Sequence, residues 1–257
     1  MARKQPHLDP PMTGWQRDLP APNDLPESIH VTGFDHPPNH MDDIYLELPR
    51  SSLMWRGVMI WMGPICFLGC VFPVILAIAA WGEVSAIVIL MAVMTAVFGF
   101  ISGFFFLRMD IAPPLDEPIR FNRARRKVYV YRFHQCWWNP FSRKRWFVRP
   151  EVYDWDDLRA EEWKIYVPTK AYKYGVSIAV VKPGTNQVLD RFELGMSGET
   201  YWAMAQTFMQ QGQQALPKFN RPPRDWNNEA PGMNLARRFA PKVQWPEAMD
   251  IESRTAP

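Results

Sequence analysis

The chain has 257 residues, 47% hydrophobic and 21% charged, with a formal charge of +3; as averages these fit a soluble protein of one or two units. The averages hide a segregation, because between Gly57 and Leu107, a run of 51 residues, Glu83 is the only Asp, Glu, Lys, Arg or His. That excludes a single soluble domain, and three cysteines, two of them inside the apolar run, exclude a disulfide scaffold.

Residues 1–52 form the first of four expected parts, a Pro-rich acidic arm. Nine prolines fall within residues 1–50, and eight acidic residues stand against Arg3, Lys4, Arg17 and Arg50. Such composition favours an extended chain. One short strand is readable at Ile44–Leu48, and Trp15, Phe34 and Tyr45 are aromatic enough to dock on a folded domain.

Residues 53–110 are expected to be a two-helix transmembrane hairpin. Gly57–Trp81 is 25 residues without a formal charge and Val84–Leu107 is 24, each long enough to cross a bilayer with some tilt. Gly82-Glu83 makes the tip. The apolar run starts too far from the N-terminus for a cleaved signal peptide. Two buried helices of a soluble protein are the alternative reading. Basic residues flank the hairpin at Arg50 and Arg56 on one side and at Arg108, Arg120, Arg123, Arg125, Arg126 and Lys127 on the other, with none at the tip. The positive-inside rule then puts both termini in the cytoplasm.

Small residues recur at helical spacing in both spans: Gly63, Cys66, Cys70, Pro73, Ala77 and Ala80 in the first, and Ala92, Ala96, Gly99 and Gly103 in the second. Stripes of this kind let helix backbones approach in lipid. They are read as facing each other within the hairpin, with homodimerisation through one of them as the alternative. The spans contain no charged or amide side chain, which argues against an ion or substrate pathway.

Residues 111–216 are expected to be a cytoplasmic α+β domain. Strands are read at Pro118–Asn122, Val128–Phe133, Arg145–Val148, Val152–Trp155 and Trp163–Val167. A hairpin pairs Gly175–Val181 with Val188–Leu194 across Lys182-Pro183-Gly184-Thr185, a strong turn signal. Ser197 can cap a helix over about Glu199–Ala215, with Trp202, Ala205, Met209 and Leu216 on one face. The expected fold is an antiparallel sheet or partly open barrel closed by that helix. Residues 217–257, with seven prolines, read as a mostly irregular tail with one helical turn at Leu235–Phe239.

The segments Pro-Ile-Arg-Phe-Asn-Arg-Ala-Arg-Arg-Lys-Val-Tyr-Val-Tyr, Cys-Trp-Trp-Asn-Pro-Phe, Asp-Trp-Asp-Asp-Leu and Lys-Pro-Gly-Thr, behind an internal two-span hairpin, resemble a proteobacterial family of two-span membrane proteins. Members carry a C-terminal domain of unknown function and are often encoded near type VI secretion effectors. The resemblance covers about residues 8–216. It implies an inner-membrane protein serving as immunity or accessory protein, with a secreted effector or secretion component as partner, but transfers no functional residues. The element order also loosely resembles bacterial pleckstrin-like domains, which implies the rival role of a lipid-binding or scaffolding module.

The segment from Cys136 to Trp146 is unusual. Trp137, Trp138, Phe141 and Trp146 are interleaved with Arg143, Lys144 and Arg145, which suits anionic headgroups or an acidic protein surface. The plain alternative is a hairpin with a core-facing aromatic side. A tethered domain favours lipid over nucleic acid, and no nucleic-acid partner is expected. His134 and Cys136 lack a second ligand pair for zinc, Asp154, Asp156 and Asp157 lack a metal loop, and no GxSxG, HExxH or phosphate-loop motif occurs. Neither an enzyme nor a cofactor is expected.

Overall fold

The computed structural model describes residues 5–26, 37–50, 56–136, 138–167, 171–194, 198–219, 222–230 and 232–257, with only the backbone at Arg143. In chain order the elements are β1 (Trp15–Asp18), β2 (His40–Met41), β3 (Tyr45–Leu48), α1 (Met59–Ala79), α2 (Ala86–Ile111), β4 (Ile119–Asn122), β5 (Lys127–His134), β6 (Phe147–Asp154), β7 (Leu158–Val167), β8 (Ala171–Val181), β9 (Val188–Glu193), α3 (Gly198–Gln211), α4 (Leu235–Phe239) and α5 (Glu247–Arg254). Phe34 and Ser197 lie outside the described residues.

Helices α1 and α2, of 21 and 26 residues, are long and apolar enough to cross a membrane, and little of either is buried within the chain. At 1.5 Å per residue they reach roughly 30–40 Å. Pro64 and Pro73 lie inside α1. The second helix runs one turn past the apolar run, to include Arg108 and Asp110.

The strands form two antiparallel sheets, one ordered β2-β3-β4-β5-β6 and the other β1-β7-β8-β9. Alternation along each strand sends one set of side chains inward. Leu46, Leu48, Ile119, Phe121, Val128 and Val130 from the first sheet meet Leu158, Ala160, Val176, Ile178, Val180 and Phe192 from the second in one buried core. Helix α3 closes that core with Trp202, Ala205, Phe208 and Met209. It ends at Gly212, whose φ of +86° is open to glycine without strain.

Three sequence expectations give way. The described parts of residues 1–52 are not a free arm: β1 pairs with β7, and β3 pairs with β4 in register Tyr45↔Asn122 to Leu48↔Ile119. The hairpin is therefore an insertion between two neighbouring strands. Arg145–Val148 and Val152–Trp155 merge into the single strand β6, preceded by a 3-10 turn at Arg143–Arg145; Pro150 is tolerated because β6 is an edge strand. The tail is ordered where described. Helix α5 packs on the outer face of β4, where Arg120 pairs with Glu47 and Asp250, both at 2.6 Å. The Asn122 amide there donates to the Ser253 and Thr255 carbonyls. Alternation alone would leave Arg120 and Asn122 in water; the tail buries them.

Candidate membrane-proximal site

The hairpin and the β-domain meet at a junction built from residues of both strand-to-helix connections. Arg50 leaves β3 with its side chain only 10% exposed. Its Nε donates to the Glu117 carbonyl at 2.7 Å, Nη2 to the Tyr131 carbonyl at 2.6 Å and Nη1 to the Glu193 carbonyl at 3.2 Å. One guanidinium thus ties the ends of the insertion to both sheets. Burial pulls its pKa below the ordinary value, and the nearby Glu117 and Asp116 act against that. Asp116, itself buried, accepts from the Arg50 backbone N–H at 3.1 Å and from the Asn39 amide at 2.8 Å.

Nearer the apolar helices, the buried Asp110 of α2 accepts from the backbone N–H groups of Gly57 (3.0 Å) and Ile60 (2.7 Å). These are otherwise unpaired donors at the start of α1, so a carboxylate from one helix caps the other. Gly57 has φ +100°, and a Cβ there would meet the Asn234 side chain at 2.7 Å. The Asn234 amide donates to the Arg56 carbonyl, while the Arg56 guanidinium donates to the Pro113 and Pro114 carbonyls.

Along the two apolar helices, the small residues of α1 lie against those of α2. A Cβ on Gly103 would stand 3.0 Å from the Gly63 carbonyl oxygen, and one on Gly99 would overlap the Cys70 Cβ and come 3.1 Å from the Cys66 carbonyl oxygen. Gly63, Cys70, Ala77, Ala92 and Gly103 are buried, while Cys66, Ala96 and Gly99 are half-buried.

The Trp/Arg segment is split by the fold. Trp146 is buried, donates from its indole N–H to the Asn139 carbonyl at 3.1 Å, and carries the Arg108 guanidinium 4.9 Å above its ring. Arg108 also donates to the Pro140 and Ser142 carbonyls, so the last turn of α2 grips the loop. Phe141 is 48% exposed and stacks on Phe104 of α2 at 4.6 Å between ring centroids. Trp138 is 96% exposed, and Lys144 and Arg145 are exposed. Trp137 and the Arg143 side chain lie outside the description. Phe141 and Trp146 each contact α2, through Phe104 and Arg108; Trp138 is exposed.

Sequence reasoning overlooked Arg50 and Asp110 as junction residues. Arg50 reads from sequence only as a flanking charge, and Asp110, an acid two residues after Arg108 at the end of the apolar run, is a signal that points to the junction. Among the described residues no three His, Cys, Asp or Glu side chains converge as a metal site. Asp156 instead pairs with Arg126 and Asn23, and the Arg126 hydrogen bond holds its carboxyl below the usual range.

Residues 96–257, from the middle of α2 to the end of the chain, match a family of unknown function (DUF6708). The chain belongs to that family. No curated protein and no solved structure matches it. The DUF6708 match takes in every element from β4 onward and the greater part of α2, from Ala96, and leaves out β1 to β3 and α1.

Proposed function

We propose that this DUF6708 protein is a bacterial inner-membrane protein whose hairpin crosses the bilayer twice and whose β-domain binds a protein partner at the cytoplasmic face. The pairing of β3 with β4 carries the reading. Strands that share hydrogen bonds must share a compartment, so an insertion between them has to enter and leave the membrane on one side. The basic residues around Arg108 and Arg123–Lys127, against none at the tip, favour the cytoplasm for that side.

Resemblance to two-span proteins encoded near type VI secretion effectors supports the partner class: an effector or secretion component, met as immunity or accessory protein. With only the tip outside, such a partner would be met in the cytoplasm or the bilayer. Where β7 ends and β8 begins, Tyr166, Tyr172 and Tyr174 suit a protein surface, because each is about 60% exposed. Tyrosine is enriched in interface cores. Affinity isolation of the tagged chain from its native membrane in mild detergent tests this. One effector-type protein should co-purify and be lost on changing the three tyrosines to Ser; an isolate free of other proteins would overturn the reading.

A second reading is favoured by topology. β3 to β6 form one meander, β7 to β9 a second, and α3 closes them. This order loosely resembles that of pleckstrin-like domains, which supports a membrane-surface lipid-binding or scaffolding module.

A further inference from the structure

We infer that residues 138–146 form a wedge that seats in the cytoplasmic leaflet beside α2 and takes anionic phospholipid headgroups as its ligand. This rests on the reading of α1 and α2 as bilayer spans.

The depth of the loop follows from its contacts. Arg108 is the first charged residue after the apolar run of the second span. Phe141 does not stay at that level. It stacks on Phe104 and lies parallel to Phe100, 6.5 Å away. Those positions are one and two turns back into the span, roughly 6 and 12 Å along the helix axis. A side chain held there stands among lipid tails, where a water-soluble partner has no access.

The loop is built to hold this shape. The Asn139 side-chain oxygen accepts from the backbone N–H groups of Phe141 (3.1 Å) and Ser142 (3.0 Å), closing a tight turn. Trp146 roots one end under the Arg108 guanidinium, which also clasps the Pro140 and Ser142 carbonyls. Neither Phe141 nor Trp138 belongs to the core between the sheets. Trp138, 96% exposed two residues before Pro140, is an indole with no protein packed on it. Indole rings concentrate at the headgroup level of membranes. Lys144 and Arg145, exposed beyond the turn, supply the cationic flank that attracts an anionic leaflet. An aromatic apex continuous with a span, followed by basic residues, is the pattern of an interfacial anchor.

The test uses the full chain in lipid nanodiscs, with Cys66→Ala, Cys70→Ala and Cys136→Ser leaving no native thiol. Spin labels are placed singly through Trp138→Cys, Phe98→Cys on the exposed side of α2, and Thr185→Cys in the β8–β9 turn. Accessibility to oxygen is compared with accessibility to a water-soluble nickel chelate. In nanodiscs containing phosphatidylglycerol, the oxygen-to-nickel ratio at position 138 should exceed that at 185 several-fold. Lys144→Ser with Arg145→Ser should lower it there, but change it little in phosphatidylcholine alone. A label at 138 as wet as that at 185, with the label at 98 in lipid, overturns the wedge and leaves the spans standing. A wet label at 98 removes the spans themselves. Protection of 138 in native membranes but not in nanodiscs assigns the surface to a protein and overturns the lipid ligand.

Discussion

Replacing Arg50 with methionine removes a single guanidinium on which both sheets and both ends of the helical insertion converge. The change leaves the carbonyl oxygens of Glu117, Tyr131 and Glu193 without their donor. Each buried acceptor stranded in this way costs about 1–3 kcal/mol. Water can reach the Glu193 carbonyl, which lies at an exposed bond, so the total should fall at about 3–5 kcal/mol, the range for breaking a buried charged contact. For a chain of this size, about 2–4 °C of melting temperature accompanies each kcal/mol, which predicts a loss on the order of 10 °C. Arg50→Lys keeps the charge but cannot span three acceptors with one ammonium, and should fall between. The assay is thermal unfolding of the full chain in detergent, followed by near-ultraviolet circular dichroism. A methionine variant melting within about 2 °C of the parent, less than 1 kcal/mol on the same scale, would refute the reasoning, because it would show that the three carbonyls find other donors at no cost.

Other outcomes follow from the hairpin and the loop. Gly99→Leu with Gly103→Leu should force α1 away from α2, because even a Cβ at these positions meets Cys70 or the Gly63 carbonyl. Overpacking of this kind costs about 1–3 kcal/mol per site, whereas Leu90→Ala, at a position 61% exposed on α2, should change detergent stability little; equal losses would contradict the packing. Trp146→Ala should destabilise the domain by about 3–5 kcal/mol, and Trp138→Ala should leave its melting curve unchanged, since one ring is buried and the other is 96% exposed. A matching loss from both would mean that the exposed indole is packed after all.

How much of this could be read from residues alone depended on the range of each signal. The two long apolar helices were legible because their cause is local: a long run without charge. The strands read at Pro118–Asn122, Val128–Phe133, Gly175–Val181 and Val188–Leu194 were legible because short turns, Arg123–Lys127 and Lys182–Gln187, announce their pairing; the first residues of β8, Ala171–Tyr174, lie beyond the reach of that signal. β1 was not legible, because Trp15–Asp18 pairs with β7 nearly 150 residues away, and nothing within four residues encodes a partner at that distance. α5 escaped for a related reason. It is a short polar helix held by Arg120, Asn122 and Lys127 of the sheet, so its stability lies outside its own sequence. At the candidate site, composition singled out the Trp/Arg segment as a block. The division into a buried root at Trp146, an intermediate Phe141 on α2 and a free Trp138 depends on Arg108, which no spacing rule connects to Pro140.

The insertion of the hairpin between β3 and β4 also constrains how the protein can be dissected. A fragment beginning after α2 lacks Leu46 and Leu48, two fully buried side chains of the core, and leaves the β4 edge unpaired. Binding experiments therefore belong on the intact chain.

The central claim is that both flanks of the hairpin lie on the cytoplasmic side with the tip across the membrane. Labelling of Glu83→Cys and Thr185→Cys, each alone in the thiol-free chain, with a membrane-impermeant maleimide in intact cells tests it most directly. The account predicts that the tip cysteine reacts in intact cells and the domain cysteine only after the inner membrane is opened. Reaction of the domain cysteine in intact cells, with the tip protected, would contradict it.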